Sequence, residues 1–227
     1  MNPTLILASG SPRRRDFIGL LDIPFQIHIA DIDESRRAGE SPTDLVTRLS
    51  REKAQAVTRR FPQATIIGAD TIVVLEDDIL GKPVDADHAA DMLRRLRDCA
   101  HHVYSGVTVC ANAGNRHLTA VSDSLVWMRP YSDAELAAYI ASSDPLDKAG
   151  AYGIQHAGFH PVSRLKGCFA SVMGLPLCHL VDLLEQMEFS ISIDVPTACQ
   201  SLTDVSCCGG QSVEMWFETQ NFAKNSH

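Results

Sequence analysis

In the segment Leu5-Ile6-Leu7-Ala8-Ser9-Gly10-Ser11-Pro12-Arg13-Arg14-Arg15, an apolar run breaks at a glycine and restarts beneath three consecutive arginines. Leu5 to Ala8 reads as a short buried strand, Ser9-Gly10 as a turn, Ser11 as an N-cap and Pro12 as the first helical residue. Such a helix start is an anion site. Unpaired N–H groups and the positive end of the helix dipole gather at Ser11 to Arg14, and guanidiniums can grip phosphate bidentately. A polyphosphate ligand is the chemistry this predicts. Arg13 stands four residues before Phe17 and seven before Leu20, on the stripe that faces inward, whereas Arg15 is expected on the surface.

Asp70 stands inside Ile66-Ile67-Gly68-Ala69-Asp70-Thr71-Ile72-Val73-Val74-Leu75, where an ionised carboxylate is costly unless a cation, a metal or hydrogen-bond donors meet it. A catalytic or metal-associated role is preferred over an aspartate tied to backbone amides at a strand bend that Gly68 permits. Lys53, four residues after Leu49, falls on the inner stripe of a helix, so its ammonium must snorkel outward or face a polar cleft. Lys82 is constrained between Gly81 and Pro83, which could aim it. Asp31, Asp33 and Glu34 offer oxygen ligands to a hard divalent cation shared with substrate phosphates, provided their loop folds toward Ser9 and Asp70. In Asp147-Lys148-Ala149-Gly150-Ala151-Tyr152-Gly153-Ile154-Gln155, small residues let backbone approach a planar ligand, and the Gln155 amide suits the imide edge of uracil or thymine.

Composition narrows the classes. A formal charge of -8 argues against a nucleic-acid-binding surface and leaves the basic residues as a local site for small anions. Walker A and G-x-S-x-G motifs are absent, and the nine histidines build no site by spacing. Seven cysteines without a CxxC pair are expected to be reduced thiols, with zinc unsupported. No apolar run approaches the roughly 20 residues needed to span a bilayer, and no signal-type core follows a basic start, so a cytoplasmic protein without membrane association is expected.

The elements that must position these groups alternate between strand and helix as far as about residue 188, as one mixed α/β unit. Strands are expected at Phe25 to Ile29, Thr65 to Leu75, His102 to Cys110, His117 to Met128, Val162 to Leu165 and Phe169 to Met173. A helix opening at Ser41-Pro42-Thr43-Asp44 has Leu45, Leu49, Ala56 and Val57 as its apolar stripe, and another spans about Asp87 to Arg97. Ser132-Asp133-Ala134-Glu135 is a capping box, and a last helix opens at Pro176 with Leu180, Val181 and Leu184. Residues 189–227 have weak periodicity and are expected to form an atypical, flexible tail after a domain of residues 1–188.

Six blocks in order, Ser9-Gly10-Ser11-Pro12-Arg13-Arg14, Gly68-Ala69-Asp70-Thr71, Gly81-Lys82-Pro83, Tyr104-Ser105-Gly106-Val107, Asp147 to Gln155 and Gly174-Leu175-Pro176, resemble the Maf family of nucleotide pyrophosphatases. The resemblance runs from about residue 4 to 188. It implies an α/β fold of the Maf/ITPase type, with an elongated mixed β-sheet flanked by helices, two lobes around a deep nucleotide cleft, and commonly a homodimer. It implies hydrolysis of a nucleoside triphosphate between the α and β phosphates, to a monophosphate and pyrophosphate, with magnesium or manganese. On the matching positions Asp70 is the proton acceptor for the attacking water; Arg13, Thr71 and Gln155 bear on substrate choice; Ser9, Arg14, Lys53 and Lys82 handle phosphate; and Glu34, with Asp70, is metal-associated. The Ser-Pro-Arg-Arg, Ala-Asp-Thr and Ala-Tyr-Gly-Ile-Gln blocks resemble the branch acting on dTTP and UTP, with modified pyrimidine nucleotides as further candidates in a house-cleaning role. His156-Ala157-Gly158 and Gly167-Cys168-Phe169 depart from the family's glycine-rich turn and Gly-Ser-Tyr triplet. The competing readings are a nucleotide-binding regulator of septum formation and cell division, with a division-protein partner and little turnover, or a 7-methyl-GTP-type pyrophosphatase.

Overall fold

The strand that carries Asp70 organises the sheet. In the computed structural model, which describes residues 4–217, β3 (Thr65–Leu75) pairs along its length with β5 (Ala100–Ala111), and β5 with β6 (Arg116–Met128), all antiparallel. On its other edge β3 is met by two short strands. β1 (Leu5–Leu7) runs parallel to Thr65–Ile67 and continues the sheet to β2 (Phe25–Ile27); β4 (Asp78–Leu80) runs antiparallel to Val73–Leu75. β7 (Val162–Gly167) and β8 (Val213–Trp216) extend the far edge, giving the order β2-β1-β3-β5-β6-β7-β8 with β4 off the path. This is the elongated mixed sheet flanked by helices that the resemblance implies.

Alternation along β3 sends its side chains to two faces. Ile66, Ile72 and Val74 pack under α2 (Pro42–Thr58), against Leu45, Leu49, Ala54 and Val57. Ser41 caps α2 by accepting the Asp44 N–H at 3.1 Å, as expected, but Ala54 rather than Ala56 is fully buried. On the opposite face two cores form. Ile67 and Ala69 join one core with α1 (Pro12–Gly19) and α6 (Leu177–Gln186). Val73 joins the other, with α3 (Ala86–Leu96) and α4 (Asp133–Ala141). The capping box at Ser132 and Glu135 is present.

Two expectations need correction. Phe169 to Met173 is not a strand but the short helix α5 (Phe169–Val172), because a five-residue apolar run has no period that separates the two. The segment after residue 188 does not trail away as a flexible end: it forms α7 (Val195–Thr203) and then β8, which pairs with β7. Side-chain docking explains why. The Arg164 guanidinium lies between the Trp127 and Trp216 rings, 3.4 Å and 4.9 Å from their centroids, and Cys199 and Cys208 enter the first core. Residues 218–227 of the expected tail lie outside the described residues.

Candidate active site

β1 ends where Ala8 N–H donates to Ile67 O, and β4 pairs with β3 only from Val73 onward, so residues 69–72 of β3 have no strand on that side. A cleft of about 880 Å³ opens there, beyond the carboxyl end of β1 and the start of α1. Because successive residues face opposite ways, Asp70 and Thr71 present two chemistries to one cavity.

Asp70 faces α2. Glycine lets the helix lie directly on the sheet: a Cβ on Gly68 would stand 2.1 Å from Ser50 O and 2.8 Å from Ala54 N, and one on Gly106, opposite Asp70 in the ladder, 2.5 Å from Val46 O. Gly68 therefore serves close helix approach rather than a strand bend. Lys53 is pressed into the cleft, where Nζ donates to Asp70 Oδ1 at 2.6 Å and pairs with Glu34 Oε1 at 2.9 Å. Lys53 and Asp70 are buried, 8% and 5% exposed, so each charge depends on the other. Asp70 Oδ2 has no partner among the described residues and is the oxygen open to a ligand or water. Glu34 is delivered by a clasp: the Arg48 guanidinium on α2 donates to Glu40 at 2.6 Å and to Ser35 O at 2.9 Å, folding the acidic loop over the helix. The bond from Arg48 holds the Glu40 carboxyl down to about 2. Asp33 turns away, its carboxylate accepting the Ser35 N–H.

Thr71 faces α5 and Arg14. The Arg14 guanidinium is fixed by three neutral acceptors: Nε donates to Gly174 O at 2.8 Å, and its two terminal nitrogens donate to Ser9 Oγ and Thr71 Oγ1, both at 3.2 Å. Thr71 Oγ1 lies 2.7 Å from Ser105 Oγ, which donates to Ser171 O at 2.7 Å. Ser105 has one proton and spends it on that carbonyl, so Thr71 is the donor between the two hydroxyls and accepts from Arg14. Burial lowers the Arg14 pKa and Asp70 opposes the shift. Among the described residues no carboxylate touches the guanidinium, so its charge is available to an anion. Ser11 occupies the N-cap position, but its side chain makes no capping bond; its N–H donates to Ser9 Oγ at 3.2 Å instead.

The opposite wall is the segment from 144 to 155. Lys148, buried, donates to Asp144 O, Asp144 Oδ1 and Asp147 Oδ1 at 2.7, 2.8 and 2.6 Å. Tyr139 OH donates to Asp144 Oδ2 at 2.7 Å and accepts the Gly153 N–H at 2.9 Å. Burial alone would raise the Asp144 pKa, but the bonds from Lys148 and Tyr139 outweigh it and the net direction is down. Gly150 has φ +68°, where a Cβ would meet Val73 at 3.0 Å, so this wall rests directly on β3. His101, held neutral by burial at about 3, contacts Tyr152 OH at 2.7 Å behind it. The walls touch through Arg13, whose guanidinium nitrogen is 3.6 Å from Asp147 Oδ2. Gln155 and Lys82 also line the cleft, both exposed, and neither makes a hydrogen bond or ion pair with a described residue.

Nine residues singled out from the sequence thus border one cavity, Ser9, Arg13, Arg14, Glu34, Lys53, Asp70, Thr71, Lys82 and Gln155, whereas Asp31 and Asp33, expected beside Glu34 as oxygen ligands, do not line it. The supporting residues Ser105, Arg48, Tyr139 and Asp144 were missed as such. Ser105 lies in a recognised block but outwardly is one more strand serine, and the others act through tertiary contacts that spacing does not encode. Among the described residues no cluster of three or more His, Cys, Asp or Glu could hold a metal. Glu34 and Asp70, meeting at Lys53, provide two carboxylates, a hard-oxygen set that fits magnesium or manganese completed by water and phosphate. No helix among the described residues is long and apolar enough to cross a membrane.

Comparison with known proteins gives a consistent picture. A family model described as Maf-like protein matches residues 4–187. The dTTP/UTP pyrophosphatase of Hahella chejuensis is 49% identical over 192 residues, covering 83% of this chain and 94% of its own length. Proteins of the same description from Myxococcus xanthus and Salinibacter ruber are 47% identical over 182 residues and 44% over 187, covering 80% and 79% of this chain and 91% and 92% of their own lengths.

Proposed function

The chain belongs to the Maf family, and on that premise we propose that it hydrolyses dTTP and UTP between the α and β phosphates, releasing the nucleoside monophosphate and pyrophosphate. The observation that carries this reading is the buried Lys53–Asp70 pair at 2.6 Å, opening on the same cleft as a guanidinium that, among the described residues, is held only by neutral oxygens. In this reading Asp70 accepts the proton of the attacking water on Oδ2, the oxygen that Lys53 leaves open. Lys53 fixes the carboxylate, Arg14 and Lys82 meet the phosphate charge, and Ser9 and Thr71 keep the Arg14 fork aimed. Arg13 exchanges Asp147 for the ligand, and the Gln155 amide pairs with the pyrimidine imide. Glu34 and Asp70 would hold the divalent cation, which when bound supplies charge neutralisation on the phosphates. Positioning and electrostatics account for most of the rate in such a site.

The test is to incubate the protein with dTTP, UTP, CTP and 7-methyl-GTP in magnesium or manganese and to resolve the products by ion exchange. Monophosphate and pyrophosphate from dTTP and UTP are expected. Diphosphate with orthophosphate would refute the cleavage position, and faster turnover of 7-methyl-GTP would refute the substrate class. Tight nucleotide binding without turnover would favour the regulatory reading.

A further inference from the structure

Five of the seven cysteines, from four separate stretches of the sequence, meet where the C-terminal segment packs on the rest of the fold. Cys168 caps α5, Cys178 lies in the first turn of α6, Cys199 in α7, and Cys207 and Cys208 in the loop before β8. All are free thiols. Cys178 Sγ and Cys207 Sγ are 3.8 Å apart, and both residues are half-buried, while Cys168, Cys199 and Cys208 are buried. Gly209 at φ +59° and Gly210 at φ +80° turn the loop back, and the Gly209 N–H donates to Cys207 Sγ at 3.4 Å. Burial and the neighbouring Cys207 push the Cys178 thiol up to about 12. Neither sulfur belongs to the nucleotide cleft.

We propose that Cys207 and Cys178 form a hydroperoxide-responsive pair that closes to a reversible disulfide and staples the C-terminal segment to α6. The Cys207 thiolate attacks one oxygen of hydrogen peroxide; the S–O bond forms, the O–O bond breaks, and the departing hydroxide takes a proton to become water. Cys178 then attacks the sulfenic sulfur of Cys207, the S–S bond forms, and the S–O bond breaks, its electron pair leaving with the hydroxyl, which takes the Cys178 proton and departs as a second water. Two thiols are oxidised and one peroxide is reduced. The closed ring spans 29 positions and contains all of α7, so it removes freedom chiefly from an unfolded chain. The half-buried pair is chosen over Cys199 with Cys207 and over Cys168 with Cys208, because each of those includes at least one buried sulfur that peroxide does not reach.

The experiment treats the full chain with hydrogen peroxide, blocks the remaining thiols with iodoacetamide, and maps the digest by mass spectrometry. The expected result is one linked peptide pair joining Cys178 to Cys207, reversed by dithiothreitol, with a melting temperature raised by about 5–10 °C. C207S abolishes the link, and C178S strands Cys207 as a sulfenic acid that dimedone labels. A link through Cys168, Cys199 or Cys208, a disulfide between two copies of the chain, or over-oxidised Cys207 without any link overturns the proposal.

Discussion

Gly68→Ala tests the contact on which the catalytic pair depends. The new Cβ would stand 2.1 Å from Ser50 O, so α2 must retreat by about 1 Å to reach even the 3.0 Å limit of real Cβ contacts. Both opposing atoms are backbone, and no rotamer can absorb the clash. Overpacking of this kind costs about 1–3 kcal/mol, which for a chain of this size lowers the melting temperature by about 2–10 °C. Lys53 rides on the displaced turn, and a shift of about 1 Å in its 2.6 Å bond to Asp70 would reduce turnover on the order of 10²-fold. Thermal melts by circular dichroism and steady-state pyrophosphate release from dTTP measure the two effects. Gly19→Ala, where a Cβ meets nothing within 4 Å, is the control and should stay within about 0.5 kcal/mol. If Gly68→Ala melts within about 1 °C of the parent and keeps its kcat, close packing of α2 on β3 is not what holds the pair.

Asp70→Asn should lower kcat by about 10²–10⁴ and also lower the melting temperature, because the buried Lys53 charge keeps only Glu34 as a partner; full turnover would remove Asp70 from the chemistry. Thr71→Val removes the hydroxyl between Arg14 and Ser105, leaving a donor and an acceptor unmet; a loss of about 1–2 kcal/mol, or about 5–30-fold in kcat/KM, is expected, with Thr71→Ser restoring most of it. The Glu40 carboxyl, at about 2 in the fold against an ordinary 4.5, contributes stability that is complete above pH 4.5 and lost as pH falls toward 2. Melts between those limits should therefore fall less steeply for Glu40→Gln than for the parent, although the variant starts lower at neutral pH.

What the sequence made legible was local. The strand from Thr65 to Leu75, the Ser41 and Ser132 caps and the start of α1 at Pro12 follow from periodicity and turn chemistry acting over a few residues. Asp70 and Lys53 were each out of place in their own elements, but their pairing depends on Gly68 and Gly106 lowering α2, a relation across the sheet that single-chain patterns do not show. The resemblance collected the site residues without giving their partners. Thr71, assigned by it to substrate choice, makes its visible bonds to Arg14 and Ser105. The last segment was misjudged because its order comes from docking: Trp216 meets Arg164 and Cys199 enters an existing core, whereas its own nine-residue helix has little periodicity to read.

The unpaired edge of β3 at residues 69–72 has a consequence for solubility. An open strand edge is a template for another chain to add a strand, and proteins suppress such addition by placing charge beside the edge. Here β1 and β4 limit the opening at both ends, and Lys53, Asp70 and Arg14 ring what remains. The charged groups proposed for the reaction therefore also guard this edge against self-association, and selection for either property would retain the same three side chains.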